Sequence, residues 1–308
     1  MKQGVLLSVL SSVLFAGLYY YSTMLAPLDG GAIFSWRVLL ALPALALFIS
    51  RARGWGEVAA VGRRLRSELR LWLLMSLSAI LIGAQLWLFV WAPLHQKGLD
   101  VSLGYFLLPL AMVVVGRFVY QERLSRIQWL AVAVALVGVA HEFIRIGSFS
   151  WATALVVFGY PPYFMLRRVL RIGSLTTLWF DMLFLIPAAL WVLAMQDLSV
   201  FELFPAFPRL FGLVPLLGLL SAVALICYFS ASRLLPLGLF GLLGYLEPVL
   251  LFWVAFLFLH EPISPGEWWT YIPIWLAVML IVAEGVASLS KEGWTRGKSR
   301  ETARKKTG

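Results

Sequence analysis

Charge is what this chain of 308 residues lacks most. Only 13% of it is Asp, Glu, Lys or Arg, whereas a surface that must face water carries about 25%. That deficit excludes a soluble enzyme, a disordered tail protein and a coiled coil. Cysteine is scarcer still. Cys227 stands alone inside an apolar run, which excludes an intramolecular disulfide and a cysteine metal cluster. The three histidines, His95, His141 and His260, are too scattered to read as a metal site. There is no phosphate-binding glycine loop, and the connections are too short to hold a nucleotide domain, so a primary pump is excluded. No cofactor is expected.

What the chain has instead is apolar length. Hydrophobic residues make up 61% of it, and the mean hydropathy is +0.89. A helix needs about 20 mainly apolar residues to cross the hydrocarbon core. Ten runs qualify: 4–25, 32–50, 71–92, 102–120, 127–144, 151–166, 175–195, 211–232, 238–259 and 268–289. The sixth is short and carries Pro161 and Pro162. The first run is read as a transmembrane helix, a cleaved leader being the alternative. The expected fold is all-α, a polytopic membrane protein of ten transmembrane helices.

The net charge of +10 sits in membrane-flanking loops and in a basic tail, residues 290–308. Anionic lipid headgroups are therefore the expected partner of these charges, and nucleic acid is not. With the N-terminus in the cytoplasm, nearly all loop arginines and lysines fall on the inner side, leaving Lys97, Arg145 and Arg209 outside. An even span count with both termini cytoplasmic satisfies the positive-inside rule, and an odd count would scramble it. The connector 51–70, rich in arginine with Glu57 and Glu68, reads as a helix lying on the headgroups.

The two halves of the chain also resemble each other. At an offset of 139 residues Pro109 falls on Pro248, Glu122 on Glu261, Ser125 on Ser264 and Trp129 on Trp268. At 143, Tyr20 falls on Tyr163 and Trp36 on Trp179. Each half, 1–146 and 147–289, then holds five helices. Five is odd, so the halves enter the membrane from opposite sides, as in the inverted repeats of secondary transporters.

Ten helices from a duplicated five-helix unit resemble the drug/metabolite transporter superfamily, the EamA-type proteins. The run Ser102-Leu103-Gly104-Tyr105-Phe106, with Pro109, Glu122-Arg123 and Gln128-Trp129, is similar to its RarD branch. So are Trp87-Leu88-Phe89-Val90-Trp91, Trp36-Arg37-Val38 and Tyr163 with Arg167-Arg168. Tyr245-Leu246-Glu247-Pro248 is similar to the general second-half pattern. Trp36, Gln85 and Leu108 stand where the branch usually has His, Asn and Asn. The resemblance implies a permease or exporter of small molecules in a bacterial-type inner membrane, as a monomer or homodimer.

An ionisable group inside a span costs about 2.5–3.5 kcal/mol on insertion scales, so each is a functional candidate. Glu247 lies mid-span after Gly238, Gly241 and Gly244 and before Pro248. The matching place in the first half has Gly104 and Pro109. Paired Gly/Pro-broken spans point to a transport site, so Gly104, Pro109, Gly244 and Pro248 are expected helix-break positions. Glu247 is read as a partner for a cationic solute group or a carrier of a coupling proton, against a structural role bonded to an amide or a tyrosine. Arg37 is read as a bidentate partner for a solute carboxylate or a counter-charge within the bundle. Asp181 is read as a gate group at the inner end or a helix-cap partner. Gln85, Trp87, Trp91, Tyr105 and Tyr163 are expected to line the solute path, with packing and interfacial anchoring as the alternative for the aromatics. Glu122 and Glu261 are read as loop braces, and Arg117 and Glu284 as snorkelling side chains. The function expected is secondary transport of a small organic solute by alternating access, proton-coupled. The alternative is an integral membrane enzyme or signalling protein.

Overall fold

A computed structural model describes residues 2–94, 97–147, 149–196, 200–258 and 266–284. Among them every regular element is helical. The helices are α1 (Lys2–Thr23), α2 (Gly30–Arg51), α3 (Trp55–Ser67), α4 (Leu69–Leu94), α5 (Gly98–Phe118) and α6 (Arg126–Ile146). They continue with α7 (Trp151–Leu170), α8 (Ser174–Ala194), α9 (Val200–Ala206), α10 (Leu210–Leu234), α11 (Leu237–Gly244) and α12 (Leu246–Phe258). A shorter apolar helix, α13 (Trp268–Glu284), ends the described part.

Among the described residues eight stretches of helix are long and apolar enough to cross a bilayer: α1, α2, α4, α5, α6, α8, α10 and α11 taken together with α12. Large apolar side chains face outward along them, with Phe118 and Ile144 both 77% exposed. In water such faces would drive aggregation. Against acyl chains they cost nothing, and the protein is a multi-pass membrane protein.

Local chemistry sets the helix ends. Asp29 caps α2 by accepting from the Ala32 amide at 2.7 Å. Ser125 and Gln128 form a reciprocal capping box on α6, and Gly147 ends that helix in the left-handed region. Helix α3 turns Val58 and Val61 inward, while Arg63, Arg64 and Arg66 are exposed. This is the amphipathic surface helix expected from the connector. Arg64 Nε donates to Glu68 at 2.7 Å, and this hydrogen bond holds the Glu68 carboxyl below its usual range.

In the bundle α1 packs on α10, α2 on α8 and α10, α4 on α7 and α8, and α5 on α7 and α11. Lipid is as apolar as leucine, so these contacts come from close van der Waals packing rather than from release of water. Gly241 shows the requirement. A Cβ there would lie 3.0 Å from the Pro109 carbonyl oxygen, so any larger residue would push α11 away from α5.

Two expectations about the spans need correction. The sixth span runs to Leu170, with Pro161 and Pro162 inside the helix and Arg167 and Arg168 in its last turn. The expected break at Gly104 and Pro109 is absent, because α5 is continuous through both. A proline costs one backbone hydrogen bond, and here the helix runs on past it. The Tyr245 hydroxyl also donates to the neighbouring Phe106 carbonyl at 3.0 Å. Gly104 instead lets α7 approach, since a Cβ there would meet Val156 at 2.7 Å. In the second half the interruption is real, and it falls at Tyr245, between Gly244 and Pro248.

Candidate functional site

The interruption between α11 and α12 places Glu247 in the first turn of α12. A proline in a first turn has no amide to waste, so Pro248 fits there at no cost in hydrogen bonding. The Glu247 carboxylate has no hydrogen bond or ion pair within the described residues, neither to an amide nor to a tyrosine. Tyr245, the nearest candidate in sequence, is bonded to Phe106 instead.

Arg37 enters from α2. Its Nε donates to Ser221 Oγ of α10 at 3.2 Å, and it lies in the electrostatic field of Glu247, Tyr105 and Tyr160. The Tyr105 and Tyr160 hydroxyls approach to 3.4 Å, and their rings lie 6.1 Å apart. Tyr228 of α10 feels the charge of Glu247 as well. All five side chains are enclosed by the bundle. Yet Arg37, Tyr105, Tyr228 and Glu247 keep accessible surface. The cluster thus brings one arginine, one carboxylate and three phenols together within the bundle while leaving part of their surface accessible.

The other expected lining residues are elsewhere. Gln85 is buried between helices, its Nε2 donating to the Leu155 carbonyl at 2.8 Å. It is a clasp between α4 and α7, packed against Gly159. Trp87 stacks on Trp91 with centroids 5.1 Å apart, and Trp91 meets Trp151 at 5.3 Å. This pair forms a separate aromatic step, partly buried against the core.

Tyr163 lies apart from these. It has no exposed surface and belongs to a second charged cluster at the arginine-rich end of the bundle. Its hydroxyl donates to Asp181 Oδ2 at 3.0 Å. Arg167 Nη1 donates to the Tyr163 hydroxyl at 2.8 Å and to Asp181 Oδ2 at 3.2 Å. Arg167 Nη2 reaches the Ser174 carbonyl at 3.1 Å, and the guanidinium lies 4.3 Å from the Phe229 ring centroid. Arg167 and Asp181 are 1% and 0% exposed. Asp181 Oδ1 and Arg167 Nε stay without a hydrogen bond, although the buried Ser78 hydroxyl faces the same carboxylate. Asp181 is therefore an interior ion-pair partner and not a cap; α8 begins at Gly173, which has no side chain to cap with.

That missing cap is supplied from outside the helix. Glu57 of α3 accepts from the Gly173 amide at 2.7 Å and from Thr176 Oγ1 at 2.8 Å. Helix α11 is treated likewise, because its own N-cap, Pro236, makes no side-chain cap bond. Glu122 accepts from the Leu237 and Gly238 amides at 2.6 and 2.8 Å and pairs with Arg168 at 3.3 Å. The expectation of Glu122 as a brace is met, and what it braces is a helix dipole. Arg168 continues the network to the Leu235 carbonyl at 3.0 Å.

Ser221, Tyr160, Tyr228 and Arg167 carry this geometry and were missed. Arg167 had a signal: a buried aspartate needs a counter-charge, and Arg167 lies one helical turn after Tyr163. The three phenol and hydroxyl positions had none. At the other end, His141 Nδ1 lies 3.0 Å from Thr270 Oγ1, and Thr270 donates to Glu142 at 2.7 Å. Glu142 also takes two bonds from Arg145, the shorter 2.6 Å. His95, His260 and Glu261 lie outside the described residues. Among the described residues no group of three His, Cys, Asp or Glu could hold a metal ion.

A membrane-embedded helical bundle with an arginine and a carboxylate clustered in its interior is compatible with a solute carrier, and comparison with known proteins agrees. No family model matches the chain. It is 48% identical to the chloramphenicol-sensitive protein RarD of Pseudomonas aeruginosa, over 94% of this chain and 97% of that protein. It is 38% identical to an uncharacterised transporter of Pasteurella multocida, over 94% and 99% of the two chains. With protein RarD of Escherichia coli K12 the identity is 27%, over 92% and 95%. A solved crystal structure superposes with a TM-score of 0.68 at 16% identity, over 90% of this chain and 96% of that one, which shows a shared fold. The chain belongs to the RarD-like transporters of the EamA/drug-metabolite superfamily.

Proposed function

We propose that the protein is a proton-coupled secondary transporter that moves a small organic solute by alternating access. Ten spans form two inverted five-helix repeats, residues 1–146 and 147–289, with both termini in the cytoplasm of a bacterial inner membrane. The packing supports the repeat. Matching α1 with α7, α2 with α8, α4 with α10 and α5 with α11–α12 turns the α1–α10 contact into the α7–α4 contact. The same exchange turns α2–α10 into α8–α4, and α5–α7 into α12–α1, all of which occur. The Tyr245–Phe106 hydrogen bond joins residues 139 apart, the offset at which the halves align.

The observation that carries the reading is the Glu247 carboxylate, which has no hydrogen bond or ion pair among the described residues and lies close enough to Arg37 for their charges to interact. An uncompensated carboxylate at such depth is costly, and in a carrier its missing partner is the proton or the cationic group it moves. Arg37 offers the complementary contact for an anionic group. The Arg167–Asp181–Tyr163 cluster, with Glu57 and Glu122 on the N-termini of α8 and α11, forms the closed inner gate. Opening inward requires these contacts to part.

The test is the purified protein in liposomes enclosing a pH-sensitive dye, screened with candidate solutes. The wild type is expected to give solute-dependent proton flux that Glu247→Gln abolishes. Undiminished flux in Glu247→Gln would remove the proton role, and Arg37→Lys with unchanged solute flux would remove the bidentate contact.

A further inference from the structure

The turn between α5 and α6 carries a cavity that solute transport leaves unused. It measures about 470 Å³ and is lined by Arg117, Phe118, Gln121 and Arg123. Both arginines are exposed, and neither enters an ion pair within the described residues. Arg117 Nη1 donates to the Glu122 carbonyl at 3.4 Å, which fixes it over the turn. The one carboxylate close by in sequence, Glu122, is directed to the α11 amides and Arg168 instead. Gln121, held in the left-handed region at φ 54°, lies in the turn between them, and both arginines line the same cavity. The cavity therefore presents two uncompensated guanidinium groups, the fork geometry that phosphate oxygens match.

Phe118, in its lining, is 77% exposed. Close by in sequence Val119 is 53% exposed, and Ile127, Trp129 and Leu130 are exposed at the start of α6. A tryptophan beside exposed aliphatics and arginines marks the level where hydrocarbon meets headgroup. A free phosphate would fill the polar part and leave these apolar side chains uncovered. A phospholipid matches both, with its phosphate between the arginines and its acyl chains along Phe118 and Val119.

We propose that this cavity is a binding site for an anionic phospholipid, its phosphate held by Arg117 and Arg123. The assignment concerns the bilayer-facing surface alone, so it stands or falls separately from the transport reading. A basic residue near the surface contributes about 1 kcal/mol to anionic-lipid binding, so removing both should weaken it about 30-fold.

Native mass spectrometry of the full chain in detergent reads this directly, with phosphatidylglycerol and phosphatidylcholine of identical acyl chains as probes. The wild type is expected to retain one phosphatidylglycerol in preference to phosphatidylcholine. R117Q/R123Q is expected to lose that preference, while R63Q/R64Q, which removes the same charge from α3, keeps it. Equal retention of the two lipids by the wild type would overturn the site, as would an intact preference in R117Q/R123Q. Displacement of the lipid by millimolar inorganic phosphate would overturn the lipid assignment in favour of a soluble anion. Should R117Q/R123Q fail to fold, a phosphatidylglycerol with a photoactivatable acyl chain decides on the wild type. Crosslinks at Phe118 and Val119 support the site, and crosslinks confined to other segments overturn it.

Discussion

The bundle holds two clusters built from the same parts, an arginine, a carboxylate and tyrosine, and they are opposites. In Arg167–Asp181–Tyr163 the charges are in contact at 3.2 Å with almost no exposed surface. In Arg37–Glu247–Tyr105 the charges make no ion pair with each other, and both side chains keep some accessible surface. A closed ion pair has spent its interaction energy within the protein and has none left for a solute. A separated pair retains it. Residue type is therefore a poor guide to role inside a membrane, and the state of pairing is a good one.

Breaking the closed pair should have the larger effect on stability. Asp181→Asn leaves a buried guanidinium without its counter-charge, and losses of about 3–5 kcal/mol are expected for such a cut. Thermal unfolding in detergent reads it, and a midpoint at the wild-type value would dissolve the contrast. Replacing both partners, with Arg167→Met and Asp181→Leu together, should recover much of the loss, since no buried charge is then left unpaired. Tyr245→Phe removes the bond that ties α11–α12 to α5. A loss near 0.6 kcal/mol, the average for interhelical hydrogen bonds in a membrane protein, is expected.

Glu247→Gln sharpens the comparison from the other side. No partner is lost, so the midpoint should hold or rise even as coupled flux disappears. A marked drop would mean that Glu247 braces the fold. The smallest effect is expected at the surface. Arg64 holds the Glu68 carboxyl below its usual range, so whatever this exposed pair contributes is present at neutral pH. It is lost as pH falls through that lowered value. Glu68→Gln should leave the midpoint at pH 7 unchanged, and a clear shift would show that α3 is anchored by charge rather than by Val58 and Val61.

The comparison also shows what a one-dimensional reading catches. Composition and run length gave the bundle away, because a chain so poor in charge has nowhere to go but lipid. Glu247 and Arg37 stood out because ionisable groups are rare in apolar runs. Glu122 as a brace was legible from its place before a capping serine. Arg167 was hidden, because beside Arg168 and Arg171 it looks like one more topology signal. The partners of Gln85 and Tyr163 were hidden for the same reason. Polar side chains in a span look alike until their partners, Leu155 and Asp181, are known.

What the amino-acid order alone determined is membrane residence, the approximate spans and the rare charges inside them, since those follow from transfer energies that each segment meets independently. Which charges pair, which helix ends borrow a cap from another element, and which proline interrupts its helix were decided only by tertiary packing. Pro109 and Pro248 occupy matching places in sequence, yet α5 runs through one and α11–α12 breaks before the other. Contacts between distant helices, such as the Tyr245–Phe106 hydrogen bond, belong to the tertiary structure, and no local run of residues contains them.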